Sequence, residues 1–193
     1  MTPPVDAFLD LAATGCDLVD LVSVGDSLVG AKVVSVEELV EASARFRGAG
    51  CRRARRAARY VRANVDSVTE TRLRMLVVLA GLPEPEVCHV IRREDGSWLY
   101  RLDLCYRGLL IGIEYDGRQH AENTAQWKRD IRRRAELESR GWRIIVITAD
   151  GIYDDPSDTL DRIRRVLVDR GETLGRRRPG VEWERCFPTR VAA

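Results

Sequence analysis

Apolar positions change their period near Pro83. Before it they recur at helical spacing; after it they alternate or run together in short blocks. Residues 6–30 alternate apolar blocks with Asp and Gly and read as two short helices joined near Thr14-Gly15. "SVEELVEASARF" starts on Ser35 with Glu38 three residues on, the spacing of a capping box, and Gly48-Ala49-Gly50 ends it. "CRRARRAARYVRA", residues 51–63, continues as a helix. "DSVTETRLRMLVVLAGL" follows, with Asp66 or Ser67 as cap, Glu70 three residues after Ser67, and Gly81 as stop. "EVCHVIRR", "SWLYRLDLCY" and "LLIGIEYD" then read as strands, turned by "EDGS" at 94–97 and by Arg107-Gly108. "TAQWKRDIRRRAELESRG" is a helix, "WRIIVIT" a buried strand, and "DPSDTLDRIRRVLVDRG" the last helix. The remainder, from Glu172, has no periodicity.

From residue 66 the order is α-β-β-β-α-β-α. The expected class is α/β: a helical region at 1–65, an α/β domain at 66–171 and an extension at 172–193. With 193 residues, 45% apolar and 32% charged, the chain is long enough to bury a core. No stretch has the roughly 18–20 apolar residues of a membrane span, and the acidic start lacks a signal's basic region. A cytoplasmic location is expected, without membrane contact. Five scattered cysteines without a C-x-x-C pair argue against a disulfide framework and a structural zinc.

Net charge is only +2, yet basic residues cluster at 45–62, 128–134 and 176–178. At about 100° per residue, Arg52, Arg55, Arg56, Arg59 and Arg62 fall within an arc of about 120°. Such a stripe is either a solvated face or a phosphate-contacting one.

The second hairpin holds the candidate chemistry. With a two-residue loop at Arg107-Gly108, Tyr106 pairs with Leu109 and Asp103 with Gly112. Asp103, Gly112, Glu114 and Asp116 then share one face, and Leu102, Leu104, Ile111 and Ile113 the other. Gly112 would clear room beside Asp103. Asp103 and Glu114 become diagonal neighbours able to converge on a hard cation such as Mg²⁺. The plain alternative is a surface salt bridge between Arg101 and Glu114. On the helix from Thr124, Trp127, Ile131, Ala135 and Leu137 outline the apolar side, with Asp130 and Arg134 inside that arc.

Together, "RLDLCYRGLLIGIEYDGRQH" and "WKRDIRRRAELESRGWRIIVIT" resemble the PD-(D/E)xK nuclease superfamily, closest to the very-short-patch-repair endonuclease and its small actinobacterial relatives. The resemblance spans about residues 66–170. It implies a restriction-endonuclease-like αβββαβ core with a mixed central sheet, and Mg²⁺-dependent (or Mn²⁺-dependent) hydrolysis of DNA phosphodiesters in repair or defence. Asp103 matches the metal-binding aspartate and Glu114 the acidic residue of the (D/E)-x-K element. Asp116 stands at the usual lysine position. His120 matches the histidine of the repair branch, and Glu70 its first-helix glutamate. The implied roles are metal binding by Asp103, Glu114 and the Tyr115 carbonyl, water activation by His120, charge compensation by Lys128 and Arg134, and DNA affinity from the arginine stripe. A homodimer and a protein partner of the helical N-terminus are further expectations. The competing readings are a non-catalytic DNA-binding or regulatory module and a toxin-like defence factor.

Overall fold

The computed structural model describes residues 3–117, 124–174 and 182–188, with side chains from Asp130 onward in the helix that starts at Thr124. The chain divides into two compact units, Met1–Met75 and Leu76–Ala193. The sequence pattern placed the boundary before the helix at Ser67; the division by compactness falls inside that helix.

The first unit is helical: α1 (Pro4–Thr14), α2 (Leu18–Gly30), α3 (Val36–Arg45), α4 (Cys51–Ala58) and the start of α5 (Val68–Leu79). Local chemistry sets the starts. Asp17 caps α2 by accepting the Val19 N–H at 2.8 Å. Ser35 and Glu38 form the expected reciprocal box at 3.1 and 2.7 Å. Phe8, Val19, Leu21, Leu39, Ala54 and Ala57 are fully buried and form the core of the unit. Gly50, at φ +77°, lies so close to α1 that a Cβ would sit 2.2 Å from the Ala12 carbonyl oxygen.

Two features depart from the sequence pattern. The helix expected over 51–63 ends at Ala58 and tightens into i→i+3 bonds, Tyr60 to Ala57 and Val61 to Ala58. The Arg62 N–H then goes to Asp26 Oδ1 at 2.7 Å. Asp26 is also the centre of a buried network: its Oδ2 accepts from the Thr71 hydroxyl at 2.7 Å and from Arg74 Nη2 at 2.9 Å. Arg74 is fully buried, and Asp26 nearly so.

The second unit carries one sheet in the order β1-β2-β3-β4, from β1 (Glu86–Arg92), β2 (Trp98–Tyr106), β3 (Ile111–Asp116) and β4 (Arg143–Thr148). β1-β2 and β2-β3 are antiparallel, and β3-β4 is parallel. With α5 before β1 and α6 (Thr124–Ser139) between β3 and β4, this is the expected αβββαβ order with a mixed sheet. α7 (Ala149–Tyr153) follows β4, and α8 (Pro156–Asp169) is capped by Asp155 and stopped at Gly171. The C-terminal extension contains a short helix, α9 (Glu182–Cys186), where the pattern showed no element. Among the described residues no helix is long and apolar enough to cross a membrane.

The hairpin register differs from the expected one. Leu104 pairs with Ile113, Cys105 with Gly112 and Tyr106 with Ile111. The loop is a 3-10 turn over Arg107–Leu109 followed by Leu110 in the left-handed region (φ +53°), not two residues. Leu110 accepts this strain where its carbonyl receives the Arg143 N–H at 2.8 Å, at the start of β4.

Candidate active site

The site forms where β2 and β3 part. Their ladder covers only the three pairs nearest the loop. Beyond it β3 continues beside β4, with Glu114 opposite Val146 and Asp116 opposite Thr148. At the parting, Asp103 Oδ2 accepts the Tyr115 N–H at 3.0 Å. A carboxylate thus takes the place of the missing cross-strand carbonyl, which fixes its direction.

The strand alternation also breaks here. The β1-β2 ladder pairs Val87 with Leu104 and His89 with Leu102 but omits Cys88 and Asp103, and Cys88 has φ +53°. Leu102 and Cys105, three residues apart, consequently pack in one cluster with Leu137 and Trp142. This corrects the role expected for Gly112. A Cβ there would lie 2.8 Å from Ile144 Cδ1 and 2.9 Å from Leu102 Cδ2, so the glycine admits apolar side chains and does not clear room beside Asp103.

Asp103, Glu114 and Asp116 nevertheless line one cleft of about 390 Å³, closed on the α6 side by Asp130, Arg133 and Arg134. The inner face of α6 differs from the expected one. Leu137 is buried as expected, but Ile131 is 48% exposed and Ala135 is exposed. Asp130 and Arg133 turn inward with Leu137, at i, i+3 and i+7. A polar cleft needs a polar helix face; Asp130 and Arg134, which the sequence pattern places inside the arc, line it, as does Arg133, which that pattern leaves out.

The Glu114 carboxyl has a raised pKa. Burial raises its pKa most; the hydrogen bond from the Tyr100 hydroxyl opposes this, the Asp103 charge raises it further, and Arg133 and Arg134 lower it. The expected position of Arg101 directly opposite Glu114 is not among the observed β2–β3 pairs. The Tyr100 pKa is in turn raised by burial and by donating to Glu114. The Arg133 guanidinium carbon lies 3.8 Å from the Tyr100 ring centroid and 6.0 Å from that of Trp98. One Arg133 terminal nitrogen is 3.9 Å from Asp130, and its Nε is buried with no hydrogen-bond partner among the described residues.

Sequence reasoning missed Tyr100 and Arg133. The signals were there: "SWLY" alternates Trp98 and Tyr100 onto one face, and Arg133 lies three residues from Asp130. Glu70 belongs to the first unit, and its carboxylate accepts from the Asp66 N–H and the Ser67 hydroxyl, both at 3.1 Å, capping α5. His120 and the Lys128 side chain lie outside the described residues. In the arginine stripe, Arg55 is half-buried and donates to the Ser43 and Phe46 carbonyls at 3.2 and 2.9 Å, tying α4 to the end of α3. Arg62 lies beyond the helix; Arg52, Arg56 and Arg59 are exposed.

The raised Glu114 pKa has a thermodynamic consequence. The folded chain binds this proton more tightly than the unfolded chain. The group therefore favours folding below its ordinary range, and that contribution is lost as pH rises through the raised value. Glu114→Gln is expected to raise the melting temperature of the metal-free protein at neutral pH, with the gain shrinking in acidic buffer. Calorimetry in EDTA at both conditions checks this.

Asp103 and Glu114 present hard oxygens, and their mutual repulsion in a partly buried cleft is relieved by a cation. The donor set fits Mg²⁺ or Mn²⁺. Residues 88–167 match the family model REase_MTES_1575, which suggests a restriction-endonuclease-like domain over that part of the chain. Two Mycobacterium tuberculosis proteins are similar to the chain. They are "Uncharacterized protein MT2308" (strain CDC 1551 / Oshkosh) and "Uncharacterized protein Rv2248" (strain ATCC 25618 / H37Rv), each 30% identical over 57% of this chain. The match spans 40% of the length of either relative. No solved structure matches.

Proposed function

We propose that this domain hydrolyses DNA phosphodiesters with a divalent cation, Mg²⁺ or Mn²⁺, held by Asp103, Glu114 and the Tyr115 carbonyl. The supporting observation is a half-buried Glu114 whose charge is opposed by Asp103, in a cleft that also holds Arg133, whose buried Nε has no hydrogen-bond partner among the described residues. When bound, the cation polarises the scissile phosphate and acidifies a water. Tyr100 orients Glu114 through its hydroxyl. The Tyr115 N–H holds Asp103. Arg133 and Arg134 stabilise negative charge developing on the phosphate. Asp116 holds the hydration shell, and His120 accepts a proton from the attacking water. In this reading the very-short-patch-repair branch is a functional parallel. The test is incubation with supercoiled plasmid: nicking in Mg²⁺ or Mn²⁺ that stops in EDTA supports the reading, and none in either metal refutes it.

A second reading, a DNA-binding module without turnover, is favoured by Asp116, which cannot supply the positive charge of a lysine. DNA retention without nicking would select it. In both readings Arg52, Arg56 and Arg59 supply sequence-independent affinity. Replacing all three with Ala is expected to reduce the slope of log K against log salt by about 2–3. Arg55→Ala is expected to lower stability instead. Fluorescence anisotropy across a salt series measures the slope.

A further inference from the structure

The break in strand alternation at Cys88 and Asp103 has a second result. In a regular strand Glu86 and His89, three residues apart, would face opposite sides of the sheet. The omitted Cys88–Asp103 pair and the positive φ of Cys88 bring them to the same side. Cys105 is directly opposite Glu86. One ligand atom from each of Glu86, His89 and Cys105 lies within 4.8 Å of the others.

We propose that Glu86, His89 and Cys105 form a zinc site, distinct from the carboxylate cleft, with the fourth position open to water. The donor set is carboxylate oxygen, imidazole nitrogen and thiolate sulfur, which suits a borderline-soft ion and not Mg²⁺. Ligand atoms around a tetrahedral zinc stand about 3.5 Å apart given its bond lengths. The observed spacing, within 4.8 Å, is somewhat wider than that of a loaded site.

The surroundings support each ligand. The His89 ring lies 5.8 Å from the Trp142 ring at an interplanar angle of 30°, which limits its rotation. Arg107 Nε stands 3.8 Å from Glu86 Oε2. Burial pushes the Cys105 thiol up to about 12. Without an ion the thiol is therefore a neutral packing group. On loading, the S–H bond breaks, the sulfur binds the ion and the proton leaves to solvent. Glu86 is exposed and Cys105 buried, so entry is from the Glu86 side.

No C-x-x-C pair marks this set in the sequence, because its three ligands come from two strands and share a face only through an irregularity. The site does not depend on hydrolysis at the cleft, and its readout is not nicking. The full chain would be titrated with Co²⁺ as a zinc surrogate, then with Zn²⁺. The expected result is one equivalent of Co²⁺ with a sulfur-to-cobalt charge-transfer band, displaced by Zn²⁺. Cys105→Ser should abolish the band. Glu86→Gln, at an exposed position, should leave the fold intact and weaken binding about 10-fold or more; His89→Gln should do the same. Absence of the band in the wild-type chain would overturn the site. So would a band that survives in Cys105→Ser, or zinc retention lost only in Asp103→Asn.

Discussion

Asp103→Asn is expected to lower metal-dependent plasmid nicking by about 100-fold or more, and Glu114→Gln by a similar factor. Each removes one anionic ligand, and 100-fold corresponds to about 2.7 kcal/mol of transition-state stabilisation. Because both act on one ion, the double variant should be little worse than either single one. Additive losses would mean that they act separately. Tyr100→Phe tests the support of Glu114. It removes one hydroxyl from a side chain that stays packed under Arg133, and a loss of about 10-fold is expected. Initial rates in saturating Mg²⁺ separate these cases, provided each variant melts as cooperatively as the parent. Glu114→Gln should meet that condition easily, since it relieves charge repulsion in the metal-free protein.

The second large effect is on stability and lies in the first unit. Asp26→Ala is expected to cost about 3–5 kcal/mol. The loss comes mainly from what remains. Arg74, fully buried, would keep its charge without its carboxylate, and the Arg62 N–H and Thr71 hydroxyl would each lose an acceptor. Against a typical total of about 5–15 kcal/mol this is a large share. Urea denaturation followed by circular dichroism measures it. A loss below about 1 kcal/mol would mean that Arg74 reaches water or another acceptor. The Asp26 pKa is itself raised, chiefly by burial, with Arg74 and the hydrogen bonds opposing. Pairing therefore does not fully offset desolvation, and replacing both Asp26 and Arg74 with apolar residues should cost less than Asp26→Ala alone.

Where a signal was local, it was legible in the chain. The Ser35–Glu38 box, the Ser67–Glu70 cap, the stops at Gly81, Gly141 and Gly171, and the αβββαβ order all follow from short-range periodicity and turn chemistry. Asp103, Glu114 and Asp116 line one cleft, although the irregularity at Cys88 and Asp103 brings Leu102 to the side of Gly112 and Cys105, against the expected alternation. Non-local or irregular features were not legible. Leu110 takes a left-handed conformation because β4 supplies an N–H to its carbonyl, a partner more than thirty residues away in sequence. The Cys88–Asp103 irregularity carries no glycine to mark it. The inner face of α6 is polar, so its apolar pattern pointed to Ile131, away from Arg133. Arg55 was counted with the exposed stripe because nothing in its spacing shows that it reaches the carbonyls of α3.

The central claim, that Asp103 and Glu114 converge on one divalent cation, is tested most directly by anomalous diffraction from crystals soaked in Mn²⁺. The expected result is a single peak about 2.1–2.2 Å from one carboxylate oxygen of each residue, near the range of hard divalent ions. A Mn²⁺ peak bound by neither Asp103 nor Glu114, or none in that cleft at saturating Mn²⁺, would contradict it.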